Sequence, residues 1–171
     1  MSSAEAVKPE LVEVERATPI LRVSDIKASL EYYTQVLSFR LNWCDEDGNA
    51  FASVTRGKCN LFLTVGDEGH PGGWVWVGVS DADALHRELL ATGAKVRHRP
   101  TNYPWGSREV HVEDLDGNVL RFGSANKPGE PFGDWLDGRG ILWRRLPGSI
   151  SSSGWTPYGN GRCGEPKRSP T

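Results

Sequence analysis

The stretch that decides the fold of this chain runs Pro104-Trp105-Gly106-Ser107-Arg108-Glu109-Val110-His111-Val112-Glu113-Asp114-Leu115-Asp116-Gly117-Asn118-Val119-Leu120-Arg121-Phe122. Apolar and polar residues alternate on either side of the turn at residues 114–118, which predicts a β-hairpin with one apolar face and one charged face. The apolar face is expected to pack on a helix. The charged face carries Glu109, His111 and Arg121, which suits the wall of a polar cavity with Trp105 at its mouth.

The hairpin completes a unit of one strand, one helix and three strands. A strand at residues 74–79 leads through the helix cap Ser80-Asp81 into a helix over about 82–92, and a strand through Val96 follows. The same order occurs earlier in the chain, where Ser24-Asp25 is the cap at an offset of 56 residues. The earlier elements are a strand at 18–23, a helix over about 26–37 and strands at 39–43, 50–55 and 59–65.

The repeat predicts an α+β fold of two tandem βαβββ modules, at about residues 18–66 and 73–124, whose curved mixed sheets form a cavity. Residues 1–17 are predicted to be a polar arm and residues 18–126 the folded domain. Residues 127–171 are rich in Gly, Pro and Ser and are predicted to be a C-terminal extension. The extension is either disordered or lies across the body or a partner subunit through its large apolar residues, Phe132, Trp135, Leu136, Trp143 and Trp155.

Composition narrows the classes of function. The 171 residues carry a net charge of −2 with a pI near 6.1, which argues against a nucleic-acid partner because domains that bind nucleic acid usually carry a basic patch. Cys44, Cys59 and Cys163 are odd in number and lack C-x-x-C spacing, so neither a disulfide framework nor a zinc cage is indicated. No apolar run approaches the roughly 18 residues of a membrane span. We therefore expect a cytoplasmic protein without nucleic acid or membrane as a partner.

Several motifs resemble those of a known family. They are Pro19-Ile20-Leu21-Arg22-Val23-Ser24-Asp25, Glu31-Tyr32-Tyr33, Leu37-Ser38-Phe39, Trp74-Val75-Trp76-Val77 and the hairpin quoted above. Over about residues 18–124 the chain resembles the vicinal-oxygen-chelate superfamily, which comprises glyoxalases, bleomycin-resistance proteins and dioxygenases. Within that superfamily it is most similar to the bleomycin-resistance proteins, which bind the drug.

The resemblance also bears on metal binding. Enzymes of this superfamily hold a divalent metal with His, Gln or Glu side chains at four equivalent strand positions. The resemblance implies that these correspond here to Thr18, Trp74, Arg121 and a residue in the strand 60–63, for which Phe62 is the best match. None of these residues is a usual ligand, and the Arg121 cation would repel a metal ion. We therefore expect no metal and no other cofactor. Only one of the four histidines, His111, is expected to face the cavity; the others are His70, His86 and His98.

The resemblance implies where a ligand would bind. In the bleomycin-resistance proteins the drug lies in grooves at the interface of a head-to-tail dimer, with its flat bithiazole between aromatic rings and its cationic tail near carboxylates. The corresponding rings here are Trp43, Phe51 and Trp105, and the acidic loop that contains Asp45 and Glu46 would attract a cation. The rest of the predicted ligand-binding set is Gly106, Glu109, His111 and Arg121.

The predicted function is metal-independent binding and sequestration of a planar cationic antibiotic of the bleomycin type, or a related small molecule, by a homodimer that is head-to-tail or domain-swapped. No catalytic residue is predicted. One alternative is a metal-dependent lyase, isomerase or dioxygenase in which Glu109, His111 and Glu113 act as ligands or as acid and base. Another is an interaction module whose groove is covered by its own extension. Trp43 and Phe51 could also be core residues, and the acidic loop could be only a solvated turn.

Overall fold

The computed structural model describes residues 15–136, 141–145 and 155–158. Within these residues, two four-stranded mixed sheets and two α-helices confirm the predicted α+β fold. Neither of these helices is long and apolar enough to cross a membrane. The predicted arm up to residue 14, and Cys163, lie outside the described residues.

The first module has the predicted order of elements. Its elements are β1 (Ile20–Arg22), α1 (Ile26–Glu31), β2 (Arg40–Cys44), β3 (Phe51–Arg56) and β4 (Cys59–Thr64). The strands form the first sheet in the order β1-β4-β3-β2, in which β1 is parallel to β4 and the other neighbours are antiparallel. Asp25 caps α1, since its carboxylate accepts a hydrogen bond from the backbone N–H of Ala28 at 2.9 Å.

The second module repeats this arrangement. Its elements are β5 (Trp74–Gly78), α2 (Ala82–Ala91), β6 (Lys95–Asn102), β7 (Ser107–Glu113) and β8 (Val119–Ala125). They form the second sheet in the order β5-β8-β7-β6, with β5 parallel to β8. Asp81 caps α2 as Asp25 caps α1, through the backbone N–H groups of Asp83 and Ala84. The two caps thus begin the two helices at equivalent points of the repeat.

The first helix differs from the prediction of one α-helix over 26–37. After Glu31 it continues as a π-helical segment over Tyr32–Val36. This segment directs two consecutive tyrosines to the turn between β7 and β8: the Tyr32 hydroxyl donates to the carbonyl of Glu113, and the Tyr33 hydroxyl donates to the carboxylate of Asp114, both at 3.0 Å. A π-helical turn is therefore used here to join the two modules.

The two modules share one hydrophobic core. Leu21, Tyr33 and Leu63 of the first module pack in the same buried cluster as Val110 and Phe122 of the second. The apolar face of the hairpin is thus inside, as its alternation predicts. The opposite face of each sheet remains partly open. Among the tryptophans whose side chains the structure describes, four are about half exposed: Trp43, Trp74, Trp76 and Trp105.

The described part of the extension is docked. It contributes β9 (Trp135–Leu136), β10 (Leu142–Arg145) and β11 (Trp155–Tyr158), which pair as a small antiparallel sheet. The extension is attached to the end of β6, where a bridge joins Phe132 to Asn102 and the N–H of Gly133 donates to the carbonyl of Asn102 at 2.9 Å. Trp135 is thereby brought to the open face of the second sheet.

Candidate functional site

The open face of the second sheet and the extension enclose a pocket of about 600 Å³, called here the second-sheet pocket. The strands and the β6-β7 loop contribute Trp74, Arg97, His98, Tyr103, Trp105, His111 and Arg121. The extension contributes Asp134, Trp135 and Leu142. A volume of this size suits a small molecule, and the pocket combines aromatic rings with a few polar groups, as ligand sites commonly do.

Glu109 lies beneath this pocket and organises it. Its side chain is 1% exposed, and it accepts hydrogen bonds from Trp105 Nε1 at 2.9 Å and from Arg121 Nε at 3.0 Å and Nη2 at 2.5 Å. Burial alone would raise the pKa of the Glu109 carboxyl, but hydrogen bonds from Trp105, Arg121 and His111 outweigh it and hold the pKa below its usual value. The carboxylate is therefore ionised and ion-paired, which makes it a support for the pocket wall.

His111 is the third member of this group. It lies directly across from Arg121 in the β7-β8 pairing, and its Nε2 lies 3.2 Å from Glu109 Oε2. Desolvation is the main reason why the pKa of His111 lies below the usual histidine value, and the Arg121 cation and His98 lower it further, whereas Glu109 opposes them. The imidazole is therefore neutral at physiological pH.

The pKa of His111 predicts a pH dependence of stability. The folded protein holds His111 neutral, whereas the unfolded chain takes up a proton near pH 6.5, so the contribution to stability is present above that pH and is lost as the pH falls below it. We expect the free energy of unfolding to decrease between pH 7.5 and 5.5, with a slope of up to about 1.4 kcal/mol per pH unit. Urea unfolding of the native protein and of His111→Gln across this range should show a shallower slope in the variant. Equal slopes would contradict the prediction.

Trp105 is held in place by other aromatic rings. Its ring stacks on Tyr103 with the centroids 4.5 Å apart and contacts Trp135 edge to face at 5.5 Å. The Arg121 guanidinium lies 6.0 Å from the same ring. Tyr103, which is buried, was not among the predicted site residues, although it directly precedes the Pro-Trp-Gly loop. The Pro-Trp-Gly loop therefore starts directly after Tyr103, whose ring supports Trp105.

Polar contacts anchor the extension beside the pocket. The buried Asn102 side chain donates to the carbonyls of Lys127 and Glu130 and accepts from the N–H of Lys127. Arg108, whose side chain is 6% exposed, forms a bidentate pair with Asp83 and a further contact of 2.8 Å with Glu130. These contacts bring the first residues of the extension to the folded domain, so that Trp135 can reach Trp105.

Gly133 offers a test of this docking. A Cβ atom at position 133 would lie 2.2 Å from the Thr101 methyl group, so Gly133→Ala is expected to destabilise the docked extension by about 1–3 kcal/mol. Limited proteolysis should then cut the extension about tenfold faster or more, because cleavage follows the population of the undocked state. The double variant Gly133→Ala with Thr101→Ser removes that methyl group but keeps the hydroxyl that donates to the Arg99 carbonyl, and it should restore protection. Unchanged proteolysis of the single variant would refute the docking.

The first sheet carries a second aromatic cluster. Trp43 on β2 stacks on Phe51 on β3 with the centroids 5.7 Å apart, and both contact Phe62 on β4. Trp43 is 48% exposed, and neither it nor Phe51 belongs to the buried core cluster. Within the described residues no ring contact joins this cluster to Trp105. The predicted aromatic residues therefore lie in two separate groups of one chain.

The acidic loop follows Trp43. The carboxylate of Asp45 accepts hydrogen bonds from the backbone N–H groups of Asn49 and Ala50 at 3.1 to 3.4 Å. Asp45 thereby stabilises its own turn. Glu46 lies in the same exposed turn, so a negative potential beside the first-sheet cluster remains available to a cation.

The residues at the predicted metal positions do not fit a divalent ion. Phe62 lies in the first-sheet cluster, whereas Trp74 and Arg121 line the second-sheet pocket. The nearby Glu109 carboxylate is already bound by Trp105 and Arg121. Among the residues that the structure describes, no three His, Cys, Asp or Glu side chains are grouped so that they could hold a metal ion.

The fold and this open, aromatic cavity face define the class of protein. The sequence matches the model of the Glyoxalase/Bleomycin resistance protein/Dioxygenase superfamily over residues 13–122, and the chain belongs to this superfamily. The predicted resemblance is therefore confirmed. No curated protein sequence matches the chain significantly.

Solved structures with the same fold include drug-binding proteins. A bleomycin-binding protein from bleomycin-producing Streptomyces verticillus, complexed with copper(II)-bleomycin, is 25% identical with a TM-score of 0.57, and the match covers 68% of this chain and 100% of that chain. TioX from Micromonospora sp. ML1 is 24% identical with a TM-score of 0.58, covering 66% and 100%. A bleomycin resistance determinant encoded on the transposon Tn5 is 20% identical with a TM-score of 0.57, covering 67% and 100%.

Proposed function

We propose that this chain binds and sequesters a planar, cationic antibiotic of the bleomycin type, or a related small molecule, without a metal and without a covalent step. The observation that carries this proposal is the aromatic pocket over an ion-paired Glu109, in which the Trp105 ring is about half exposed. Stacking of flat rings contributes about 0.5–1.5 kcal/mol per pair beyond the buried area. The likeness to a bleomycin-binding protein supports this ligand class.

The arrangement of charges indicates how such a ligand would lie. The guanidinium groups of Arg97 and Arg121 line the second-sheet pocket, so the flat, uncharged part of the ligand is expected there. The cationic part would lie away from them, beside the acidic loop that contains Asp45 and Glu46. That loop belongs to the first sheet, and it adjoins the exposed cluster of Trp43 and Phe51.

A homodimer would bring these two groups together. In a head-to-tail or domain-swapped pair, the first-sheet cluster of one copy faces the second-sheet pocket of the other, and each copy thereby completes the site of its partner. The half-exposed Trp43 and Trp105 support this arrangement, because exposed apolar surface of this kind commonly marks an interface or a binding site. The extension supplies Trp135 as a wall, and about 600 Å³ remains open beside it.

Titration with metal-free bleomycin tests the proposal. We expect saturable quenching of tryptophan fluorescence, because the ligand would stack on Trp105, with a calorimetric stoichiometry of one ligand per chain. Metal analysis of the purified protein is the control, since a full equivalent of bound iron, zinc, nickel or manganese would favour the metal-dependent enzyme. The absence of saturable binding at millimolar bleomycin would refute the proposed function.

A further inference from the structure

The second-sheet pocket contains a buried hydrogen-bond acceptor without a partner. The side chain of His111 is 9% exposed, and its Nδ1 makes no hydrogen bond to any of the residues that the structure describes. A buried polar atom in this state has lost its hydrogen bonds to water and has no replacement for them. A ligand that supplies the missing hydrogen bond would therefore stabilise the folded chain.

Glu109 decides which nitrogen of His111 carries the proton. Trp105 Nε1 and the Arg121 guanidinium can only donate, and both donate to the Glu109 carboxylate, which is therefore an acceptor. The contact of 3.2 Å between His111 Nε2 and Glu109 then places the imidazole proton on Nε2. Nδ1 is left with a lone pair, so it can accept a hydrogen bond but cannot donate one.

Aromatic rings surround this acceptor. The ring of His111 is nearly perpendicular to Trp74 and His98, with centroids 5.9 Å and 5.2 Å away, and nearly parallel to Tyr103 at 6.3 Å. Arg121 lies across from it, and Arg97 lies over the Trp74 ring at 5.4 Å. The carboxylates beside these guanidinium groups, Glu109 and Glu113, are already paired with them and cannot also balance a cationic donor, so an uncharged donor on a flat ring system fits better.

We propose that the ligand of this pocket is a planar aromatic molecule with an uncharged N–H donor at its edge, such as a secondary amide, and that this donor hydrogen-bonds to His111 Nδ1. Glu109 acts as the positioning residue that holds the imidazole in the accepting tautomer. This inference rests on the proposed function and names the part of the ligand that the second-sheet pocket selects.

Two bithiazole carboxamides that differ by one N–H test this selection. The N-methyl amide keeps one N–H, and the N,N-dimethyl amide has none. The native protein should bind the N-methyl amide about tenfold more tightly, as expected for one hydrogen bond to an otherwise unpaired buried acceptor. In His111→Gln, which keeps an N–H for Glu109 but has no acceptor at the Nδ1 position, the ratio should fall to about one. In His111→Asn, which retains an amide oxygen near that position, the ratio should stay well above one.

Further measurements separate the possible failures. Thermal unfolding followed by circular dichroism should show that both variants fold. The inference would be overturned if the native protein bound the two amides equally, or if His111→Gln kept the native affinity ratio. In either case, saturable binding of bleomycin would leave the proposed function standing. The ¹⁵N spectrum of the imidazole gives a test without ligand, because a proton found on Nδ1 of His111 would also overturn the inference. A protein that binds neither bleomycin nor either amide would overturn both.

Discussion

Replacing Arg121 by Met is expected to lower the free energy of unfolding by about 3 kcal/mol. The substitution leaves the Glu109 carboxylate, which is 1% exposed, without its counter-ion. Removing one partner of a buried ion pair typically costs about 3–5 kcal/mol, and the lower end applies because the Arg121 side chain is 31% exposed and water can enter in its place. Urea unfolding followed by circular dichroism at pH 7 would measure the loss.

Two matched variants separate the ion pair from the general effect of losing an arginine. Arg121→Met combined with Glu109→Gln removes the unpaired charge, so it should recover at least half of the lost stability. Arg97→Met removes an arginine from the same pocket, and its 3.8 Å contact with Glu113 lies in solvent, so this substitution should cost much less stability than Arg121→Met. If Arg121→Met and Arg97→Met lost the same amount of stability, water would be compensating the charge of the Glu109 carboxylate in place of Arg121.

The second large effect is expected on binding. Trp105→Ala should weaken bleomycin binding by about thirtyfold or more, as is usual for a central aromatic contact that carries about 2 kcal/mol. The Tyr103 and Trp135 contacts orient the Trp105 ring, which is why its removal should cost more than the loss of a freely rotating side chain. Calorimetric titration of the native and variant proteins would measure the change.

Trp105→Phe serves as the control for this variant. It keeps a ring for stacking but lacks the Nε1–H that donates to Glu109, so most of the affinity should remain. If Trp105→Ala and the native protein bound bleomycin equally, Trp105 would have no part in the site. If Trp105→Phe lost as much affinity as Trp105→Ala, the hydrogen bond to Glu109 would account for the effect in place of stacking.

The position of Arg121 disfavours a metal ion in the second-sheet pocket. From the family resemblance, Arg121 corresponds to a strand position at which the enzymes place a metal ligand. Here its guanidinium contacts the Glu109 carboxylate directly. The chain itself thus supplies the positive charge beside this carboxylate, and a divalent ion would have to displace it.

Much of the fold followed from local sequence patterns. Period-two alternation in the hairpin assigned Val110 and Phe122 to the core and Glu109, His111 and Arg121 to the other face, and the structure confirms both assignments. The caps Asp25 and Asp81 begin the two helices of the repeat. These features depend on neighbours in the chain, so the sequence alone could determine them.

Burial and assembly of the site were decided only by the tertiary structure. Alternation places Glu109 on the open face, but it cannot tell that Trp105, Arg121 and His111 converge on its carboxylate and bury it. The wall contributed by Trp135 comes from an extension whose composition carries no periodic signal. The separation of Trp43 from Trp105 depends on how the two sheets pack through their shared core. These properties arise from contacts between segments distant in the chain, whereas alternation and helix caps report only which face a residue occupies and where an element begins.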